Sequence, residues 1–581
     1  MTTYTPPLSD IQFALDLTGL ADLGLIDADM ISPVLEEAAK LASEVIAPTN
    51  RAGDTFGAKL ADGKVTTAPG FKEAYTAMQS AGWCGAPFSP DHGGQGLPWT
   101  LSFALQEMWG SANMAFSLCP LLTQGAVETI TTHGTPEQKA WMLEKLTSGA
   151  WTGSMQLTEP QAGSDVGALR TKAVKAGDHY LLSGQKIYIT YGDHDFTDNI
   201  IHMVLARVDG APAGIKGISL FACPKFMPDG TRNDVNAVSL EHKMGIHGSP
   251  TAVMSFGDQG GAKAWLIGEE NRGIEYMFIM MNSARLGVGL QGLSIAERAL
   301  QQARSYAKDR VQSRDIGEAK GGPVAIIKHP DVKRMLLTIR AYTEAMRLLA
   351  YSAGYSLDCA KRKGDAAAQL RVDLLTPVVK AWSTDLGVEC ASLGIQVHGG
   401  MGFIEETGAA QYYRDAKIAC IYEGTNGIQA NDLLFRKLGR DKGEAATSFI
   451  AEGRTITGQL SAQPGDDASS IARHVNAGLD ALAEATAFLV PLLVSDPRAA
   501  ASAAASYLKL FGQVAGGVMM AKAATRALLK LKEGGADSSF MEGKLVTARF
   551  YAEQLLPPAL PLAQTLQSAA RTTLALSDDA I

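Results

Sequence analysis

The stretch QVHGGMGFIEETGAAQYYRDAKIACIYEGTNGIQ, residues 396–429, decides how this sequence is interpreted. Its glycines Gly399, Gly400 and Gly402 permit close approach of the main chain to a ligand, although a Gly-Gly-x-Gly pattern alone is weak. The sharper feature is Glu423, a carboxylate in the otherwise apolar run IACIYEG. A lone glutamate is more often a solvated surface residue, but at the edge of a dry cleft its pKa rises toward the value that a general base needs. Glu423 is therefore a candidate base.

A second informative string, MQLTEPQAGSDVGALRTKA, covers residues 155–173. Thr158, Ser164 and the backbone around Gly163 can donate hydrogen bonds to a ring carbonyl, a ring nitrogen or a phosphate. A Gly-Ser-Asp turn taken alone is usually only a turn. The full string is far more specific than that turn, and it indicates a place where the main chain approaches a ligand.

A third string, KIYITYGDHD at residues 186–195, has the β-branched and aromatic residues typical of a strand. Tyr188 and Thr190 have the same alternation parity, so a strand would present both side chains on one face. Without further context, an ordinary edge strand explains the pair as well as a ligand site does.

The composition of the chain is that of a globular protein. It has 581 residues, of which 46% are hydrophobic and 19% charged, and this length predicts several subdomains. The net charge of −8, without a block of Lys or Arg, argues against a nucleic-acid partner. The six cysteines lie far apart without a CxxC pair, so we expect neither a metal site nor a disulfide framework. The N-terminus does not resemble a secretory signal, and Pro491 interrupts the apolar run ATAFLVPLLV, so we expect a cytoplasmic protein without a membrane span.

Hydrophobic periodicity divides the chain into four parts. Residues 1–150 show helical spacing, as in HGTPEQKAWMLEKLTSG. Residues 151–270 carry short β-branched segments such as KIYIT and NIIHMVLARV, which predict antiparallel strands in a small barrel or sandwich. Helical spacing returns over residues 271–440, in segments long enough for a bundle, and an Ala-rich helical region fills residues 441–581. This order predicts helical modules around one central β domain.

Taken together, these strings resemble the acyl-CoA dehydrogenase family. TEPQAGSD, GGMGF followed by RDAK, and IYEGTNGIQ occur in the family's order, and PDHGGQGLP at residues 90–98 and EHKMGIHGSPTA at residues 241–252 are similar to further family segments. The resemblance covers roughly residues 40–440. It implies a mainly α fold with an N-terminal helical domain, a middle β-barrel and a C-terminal four-helix bundle. It also implies an FAD cofactor between barrel and bundle, partly covered by a neighbouring subunit.

The family motifs assign roles to residues of this chain by position. Glu423 matches the catalytic glutamate of short- and medium-chain members, and Tyr188 stands where a tryptophan beside the flavin ring is common. The resemblance implies no metal. The residues implied for FAD binding are Met155, Leu157, Thr158, Gly163, Ser164, Tyr188, Thr190, Arg310, Gln396, Gly400, Thr425 and Gly427. The residues implied for substrate binding are Ser164, Asn282, Arg285 and Gly424.

Four positions show where this chain agrees with or departs from the family pattern. Some relatives carry their base on a bundle helix just before an arginine; here that residue is Ala284, before Arg285, and an alanine cannot accept a proton. Where the family usually has Phe-Gly about four residues after the implied phosphate-binding arginine, this chain has Ser313 and an insertion. Gln411 stands where Lys or Arg is usual. These departures affect the remote FAD contacts rather than the flavin ring or the base.

The region after residue 440 resembles an enlarged branch of the family that includes 3-methylmercaptopropionyl-CoA dehydrogenase, an enzyme of dimethylsulfoniopropionate breakdown. The branch implies α,β-oxidation of that thioester, electron transfer to an electron-transfer flavoprotein, and a homodimer, because the added helices occupy surface that tetrameric members use. Three alternatives stay open. One is a dehydrogenase of straight-chain short or medium acyl-CoA. The second is an acyl-CoA oxidase, although the final residues LSDDAI do not form a peroxisomal tripeptide, which argues against it. The third is a non-catalytic flavin-fold protein, and the presence of Glu423 argues against that.

Overall fold

The N-terminal part of the fold is helical, as the spacing predicts. The computed structural model describes residues 3–318, 320–534 and 537–581. Helix Pro136–Thr147 begins with a capping box, in which the Thr135 side chain accepts from Gln138 N and the Gln138 side chain accepts from Thr135 N. The elements of this part are Leu8–Thr18 (α1), Ala28–Lys40 (α2), Thr49–Phe56 (α3), Lys59–Ala61 (β1), Lys64–Thr66 (β2), Phe71–Ser80 (α4), Trp99–Ala112 (α5), Met114–His133 (α6) and Pro136–Thr147 (α7).

The middle part is a closed barrel with a hydrophobic core of its own. Its strands are Trp151–Gln156 (β3), Lys172–Ala176 (β4), His179–Thr190 (β5), Asn199–Val208 (β6), Ile218–Pro224 (β7), Val235–Leu240 (β8), Thr251–Phe256 (β9) and Ala262–Leu266 (β10). Strands β10, β7, β6, β4 and β5 follow one another, and β10 also pairs with β5, which closes the ring. The expectation of antiparallel strands is wrong at two pairings, since β6 runs parallel to β3 and to β4. The β4–β5 hairpin lies between β3 and β6 in the chain and serves as the crossover that a parallel pair needs.

The third part is the predicted helical bundle. Its long helices α8 to α10 pack against one another, and α8 also packs against α5 and α6. The bundle therefore shares one hydrophobic core with the N-terminal part. Its elements are Gly273–Asp309 (α8), Val311–Arg314 (β11), Pro323–Ala325 (β12), Pro330–Lys363 (α9), Ala366–His398 (α10), Ala409–Lys417 (α11), Asn426–Asn431 (α12) and Gly439–Asp441 (α13).

The additional C-terminal part packs on the bundle of the same chain, mainly through its long central helix α16. The Trp382 ring of α10 lies in a notch of α16, where a Cβ atom at Gly512 would stand 2.3 Å from the ring and one at Gly516 2.7 Å from it. Lys544 of α17 forms a buried ion pair with Glu344 of α9 at 3.2 Å. The helices of this part are Glu444–Ser461 (α14), Asp466–Ser495 (α15), Pro497–Glu533 (α16), Ser538–Phe550 (α17) and Leu562–Thr573 (α18).

Helix α15 corrects one detail of the sequence interpretation. It spans 30 residues in all, with Pro491 inside it, so the proline does not interrupt it. By length and apolar composition alone it could cross a membrane. The signal is weak, because a core helix passes the same test. In the fold, α15 packs against α14 and α16, and its apolar residues Ile471, Leu479 and Leu489 are fully buried.

Candidate active site

Glu423 lies in a sharp turn between the bundle core and helix α12. It follows the short 3₁₀ turn Ile418–Cys420 and precedes Thr425, whose side-chain oxygen accepts a hydrogen bond from Ile428 N at 3.2 Å and caps α12. Glu423 and Gly424 both have left-handed backbone, with φ of 58° and 84°. A left-handed glutamate is uncommon, and such conformations persist only where surrounding contacts hold them, often at functional sites.

Two side chains hold this turn through the main-chain oxygen of Glu423. Arg285 Nε donates to it at 3.4 Å, and Gln429 Nε2 donates at 3.2 Å. Arg285 is only 3% exposed. Its Nη1 donates to Asn282 Oδ1 at 3.3 Å and lies 3.7 Å from Asp432 Oδ2. Arg285, predicted as a substrate contact, therefore positions the turn of the candidate base, with Asn282 beside it.

The carboxyl group of Glu423 has a pKa raised to about 7. Burial raises the pKa because an ionised carboxylate is poorly solvated there, while the positive charges of Arg285 and Lys380 act in the opposite direction. The residue remains partly accessible in the single chain. A carboxylate that titrates near neutral pH and can be reached by a small molecule suits a general base.

Lys380 of α10 is a site residue that sequence reasoning missed. Its Nζ donates to the Gly424 carbonyl at 2.9 Å and to Asn426 Oδ1 at 2.8 Å. Burial lowers the pKa of Lys380 to about 8, so the group carries its charge at neutral pH. The signal in the sequence is a lysine inside the apolar segment TPVVKAW, where an unpaired charge would be costly.

The second and third strings of the sequence meet on the barrel. The Thr158 carbonyl accepts a hydrogen bond from Ile187 N at 2.9 Å. Lys186 Nζ donates to the Leu157 carbonyl at 3.0 Å and to Glu159 Oε1 at 2.8 Å. Although burial raises the pKa of Glu159, the charge and hydrogen bond of Lys186 outweigh it and bring that pKa to about 2. Sequence reasoning assigned no role to this buried ion pair, which joins two strings of the predicted flavin site.

Tyr188 stands at an irregularity in the edge of the barrel. The register of β5 against β9 shifts between Lys186 and Ile189, and Tyr188 has a left-handed backbone with φ of 59°. Its side chain is 61% exposed, whereas Ile189 is buried and Thr190 is half-buried. Lys186 and Ile189 are both buried although they are three residues apart, so the bulge interrupts the alternation, and parity alone does not place Tyr188 and Thr190 on one face.

The residues around Tyr188 fit a flavin. Met155, Leu157 and Thr158 are partly accessible, and Ser164 is exposed. A Cβ atom built at Gly163 would meet nothing within 4 Å, so the main chain there is open to a ligand. An exposed aromatic ring, hydroxyl groups and open main chain are the groups that a flavin ring and its phosphates require. In the part of the chain that the structure describes, no three His, Cys, Asp or Glu side chains are grouped so that they could hold a metal ion.

Three of the predicted FAD contacts lie far from Glu423 in the same chain. Arg310 ends α8, 25 residues after Arg285, which corresponds to about 37 Å along a helix. It is exposed, and its Nη2 donates to Gln312 Oε1 at 3.1 Å. Gln396 and Gly400 are also exposed, at the distal end of α10. Gly427, by contrast, is exposed on α12 close to the base. Within one chain, Arg310, Gln396 and Gly400 therefore lie away from the base, whereas Gly427 lies beside it.

Four family models match the chain. The N-terminal and middle domains of acyl-CoA dehydrogenase match residues 33–150 and 154–259, and its C-terminal domain matches residues 271–438. The model described as acetyl-CoA dehydrogenase C-terminal like matches residues 447–577. The 3-methylmercaptopropionyl-CoA dehydrogenase of Ruegeria pomeroyi is 45% identical over 570 residues, which covers 95% of this chain and 96% of the relative.

Among the solved structures that resemble the fold, two cover different shares of this chain. A chain in the structure of the electron transferring flavoprotein of Acidaminococcus fermentans is 29% identical, with a TM-score of 0.60 over 71% of this chain and 98% of that chain. An acyl-CoA dehydrogenase of Bacillus anthracis complexed with FAD is 20% identical, with a TM-score of 0.72 over 99% of this chain and 91% of that chain. The second match includes the additional C-terminal helices.

Proposed function

Since the chain belongs to the acyl-CoA dehydrogenase family and is an FAD-dependent enzyme of it, we propose that its substrate is 3-methylmercaptopropionyl-CoA, which it oxidises to the 2-enoyl thioester. The reaction type rests on Glu423, which the turn holds in a left-handed conformation with a pKa of about 7. The acyl group rests on the 45% identity to the Ruegeria pomeroyi enzyme over 95% of the chain. On this proposal the protein works in the cytoplasm, in the breakdown of dimethylsulfoniopropionate.

The chain supplies the proton chemistry of this reaction. FAD, when bound, would supply the hydride acceptor for the β-hydrogen. The Glu423 carboxylate removes the α-proton, and its pKa near neutrality lets it take up that proton without being protonated beforehand. Within the described residues, the backbone N–H of Glu423 donates to no acceptor. It is therefore left to the thioester carbonyl oxygen, where one such donor contributes about 3 kcal/mol to the stability of the charged transition state.

The contacts of the turn explain why the base is held so firmly. Arg285 and Lys380 carry positive charge beside a carboxylate that burial would otherwise keep protonated. Their hydrogen bonds go to the carbonyl oxygens of Glu423 and Gly424, which belong to two consecutive peptide groups. Both residues are positioning residues, because they act through Glu423 rather than on the reacting atoms.

Electrons leave the enzyme to an electron-transfer flavoprotein. The family and the likeness to a chain in the flavoprotein structure of Acidaminococcus fermentans support this partner. Reduction of a purified electron-transfer flavoprotein, coupled to thioester oxidation without oxygen, tests it. Rapid peroxide release in air, with no reduction of that flavoprotein, would reassign the chain as an acyl-CoA oxidase.

The working unit that we propose is a homodimer. Arg310 lies about 37 Å along α8 from Arg285, and Gln396 lies at the far end of α10. On this proposal a second copy supplies both residues to each flavin. Apolar side chains beside Gln396 are exposed in the single chain, with Phe403 at 86% and Ile404 at 46%. Light scattering should give a dimer, and Phe403→Asp should give monomers that lose flavin. A wild-type monomer with full flavin content contradicts the proposal.

The substrate is tested by a steady-state comparison of thioesters. We expect kcat/KM to be higher for 3-methylmercaptopropionyl-CoA than for butyryl-CoA or octanoyl-CoA, measured with an artificial electron acceptor. A preference for either straight-chain thioester would assign the enzyme to general fatty-acid oxidation instead. If the purified protein contains no yellow flavin and turns over no thioester, the proposal that it is an enzyme is wrong.

A further inference from the structure

A cavity between helices α5, α6 and α8 lies beside the residue that precedes the base. The empty space within it, counted together with the part that opens to solvent, is about 350 Å³. On α8 it is lined by Gly287, Leu290, Gln291 and Ser294, which recur at the spacing of one helix face. Tyr422, the neighbour of Glu423 in the chain, donates a hydrogen bond to Gln291 Oε1. The cavity is therefore connected to the catalytic turn through a single side-chain contact.

The lining of this cavity includes several polar side chains. Gln106 and Gln124 face it from α5 and α6, and Gln106 Nε2 donates to Gln124 Oε1 at 3.0 Å. Gln291 is only 4% exposed, and within the described residues its Nε2 has no hydrogen-bond partner. A buried donor without an acceptor is unfavourable, so such groups are normally satisfied by a ligand or an ordered water.

The orientation of the Gln291 amide is set by Tyr422. An amide has an acceptor end and a donor end, and Tyr422 occupies the acceptor end by donating to Oε1. The donor end, Nε2, then has no partner within the described residues, on a side chain that lines the cavity. Tight helix contacts confine the space beyond it, since a Cβ atom at Gly110 would stand 2.7 Å from Ser294 Oγ and one at Gly287 2.4 Å from Leu121.

We propose that Gln291 determines acyl specificity, by donating a hydrogen bond to a sulfur or oxygen atom within a short acyl chain. The inference rests on the proposed function, because it assigns this cavity to the acyl group of the thioester that Glu423 deprotonates. A thioether sulfur is a weak acceptor and an ether oxygen a stronger one. The substrate class is thus short acyl-CoA thioesters with a heteroatom in the chain, and all-carbon chains of equal length leave the donor unsatisfied.

An isosteric pair of substrates tests this role. Pentanoyl-CoA differs from 3-methylmercaptopropionyl-CoA only by a methylene group in place of sulfur. We expect the wild-type holoenzyme to have a kcat/KM about three- to tenfold higher for the thioether, as one weak hydrogen bond allows. In Gln291→Leu this ratio should fall to about one. Any disturbance of Glu423 through Tyr422 affects both substrates alike and cancels in the ratio.

The possible results distinguish an error in the role of Gln291 from an error in the proposed dehydrogenase function. A wild-type ratio near one, or an unchanged ratio in Gln291→Leu, overturns the role of Gln291 while the dehydrogenase activity stands. If the wild type oxidises neither thioester, the proposed function itself is wrong. If Gln291→Leu does not fold, Gln291→Met provides a flexible apolar side chain for the same comparison. The ether oxygen of 3-methoxypropionyl-CoA is a stronger acceptor, so in either variant kcat/KM should fall more for this thioester than for 3-methylmercaptopropionyl-CoA.

Discussion

Replacing Glu423 by Gln should make the protein more stable at alkaline pH while abolishing its activity. Burial raises the pKa of this carboxyl from its ordinary 4.5 to about 7 in the folded state. The protonated form is therefore favoured by folding, and this contribution is complete below pH 4.5 and is lost as pH rises through 7. At pH 8 the ionised carboxylate costs about 3 kcal/mol relative to a neutral side chain. Glutamine has the same shape and no charge, so it avoids that cost.

Thermal melting of the holoenzyme measures the effect. For a chain of this length that unfolds as one unit, about 3 kcal/mol corresponds to a rise of roughly 2–3 °C in Tm. The rise should appear at pH 8 and vanish near pH 4.5, where the wild-type carboxyl is protonated as well. Glu144→Gln, at an exposed glutamate of α7, is the matched control and should change neither Tm nor activity.

Turnover provides the second half of this test. Glu423→Gln cannot accept the α-proton, so kcat should fall by at least the ~10²–10⁴ of general-base catalysis. In the wild type, kcat/KM should rise with pH and level off above about pH 7, because it follows the ionised base of the free enzyme. Equal Tm values at pH 8, together with near-normal turnover of the variant, would refute both the burial argument and the assignment of the base.

Three further changes test the surroundings of the site. Lys380→Met removes a positive charge that lowers the pKa of Glu423, so the rise of kcat/KM should move to higher pH, whereas Lys380→Arg should retain the wild-type profile; coincident profiles for all three proteins contradict this role. Lys186→Met leaves the buried Glu159 without its cation, and it should lower stability by about 3–5 kcal/mol and cause loss of flavin. Adding Glu159→Gln should restore most of the stability and most of the flavin content. Thermal melting measures the stability, and absorbance at 450 nm measures the flavin content. Truncation after residue 440 uncovers the apolar face of α10 around Trp382 and should cause aggregation in light scattering, while a soluble active dimer would show that the C-terminal part is an independent appendage.

The sequence predicts the order of the parts because each part has a local periodicity. Helical spacing, alternating strands and renewed helical spacing follow one another in the chain, and the elements of the fold occur in that order. Glu423 could be identified as a candidate base for a similar reason, because the apolar residues that mark it as unusual are its neighbours in the sequence. The turn that positions it also has a local mark, the glycine that follows, with its left-handed φ of 84°.

The rest of the site depends on contacts between distant positions, which no local pattern contains. Lys380 reaches the Gly424 carbonyl across 44 residues, and Tyr422 reaches Gln291 across 131. The parallel pairings of β6 depend likewise on how the chain returns to the barrel after the β4–β5 hairpin. Pro491 shows the opposite failure, in which a local signal is present but wrong. A proline usually interrupts a helix, yet α15 continues past it in the packed fold.

The notch of α16 that receives Trp382 has a consequence for how this protein can vary during evolution. The ring leaves no space for a side chain at Gly512, and together with the Tyr551 hydroxyl it leaves none at Gly516. Neither glycine can therefore be replaced while the tryptophan remains, and a smaller residue at Trp382 would leave a void. These three positions belong to two different domains, yet they must be inherited as a set. Exchange of the C-terminal helices between relatives should therefore succeed only when the donor's notch matches the recipient's ring. Since Trp382 is two residues from Lys380 on α10, a mismatched graft would also disturb the helix that supports the catalytic turn.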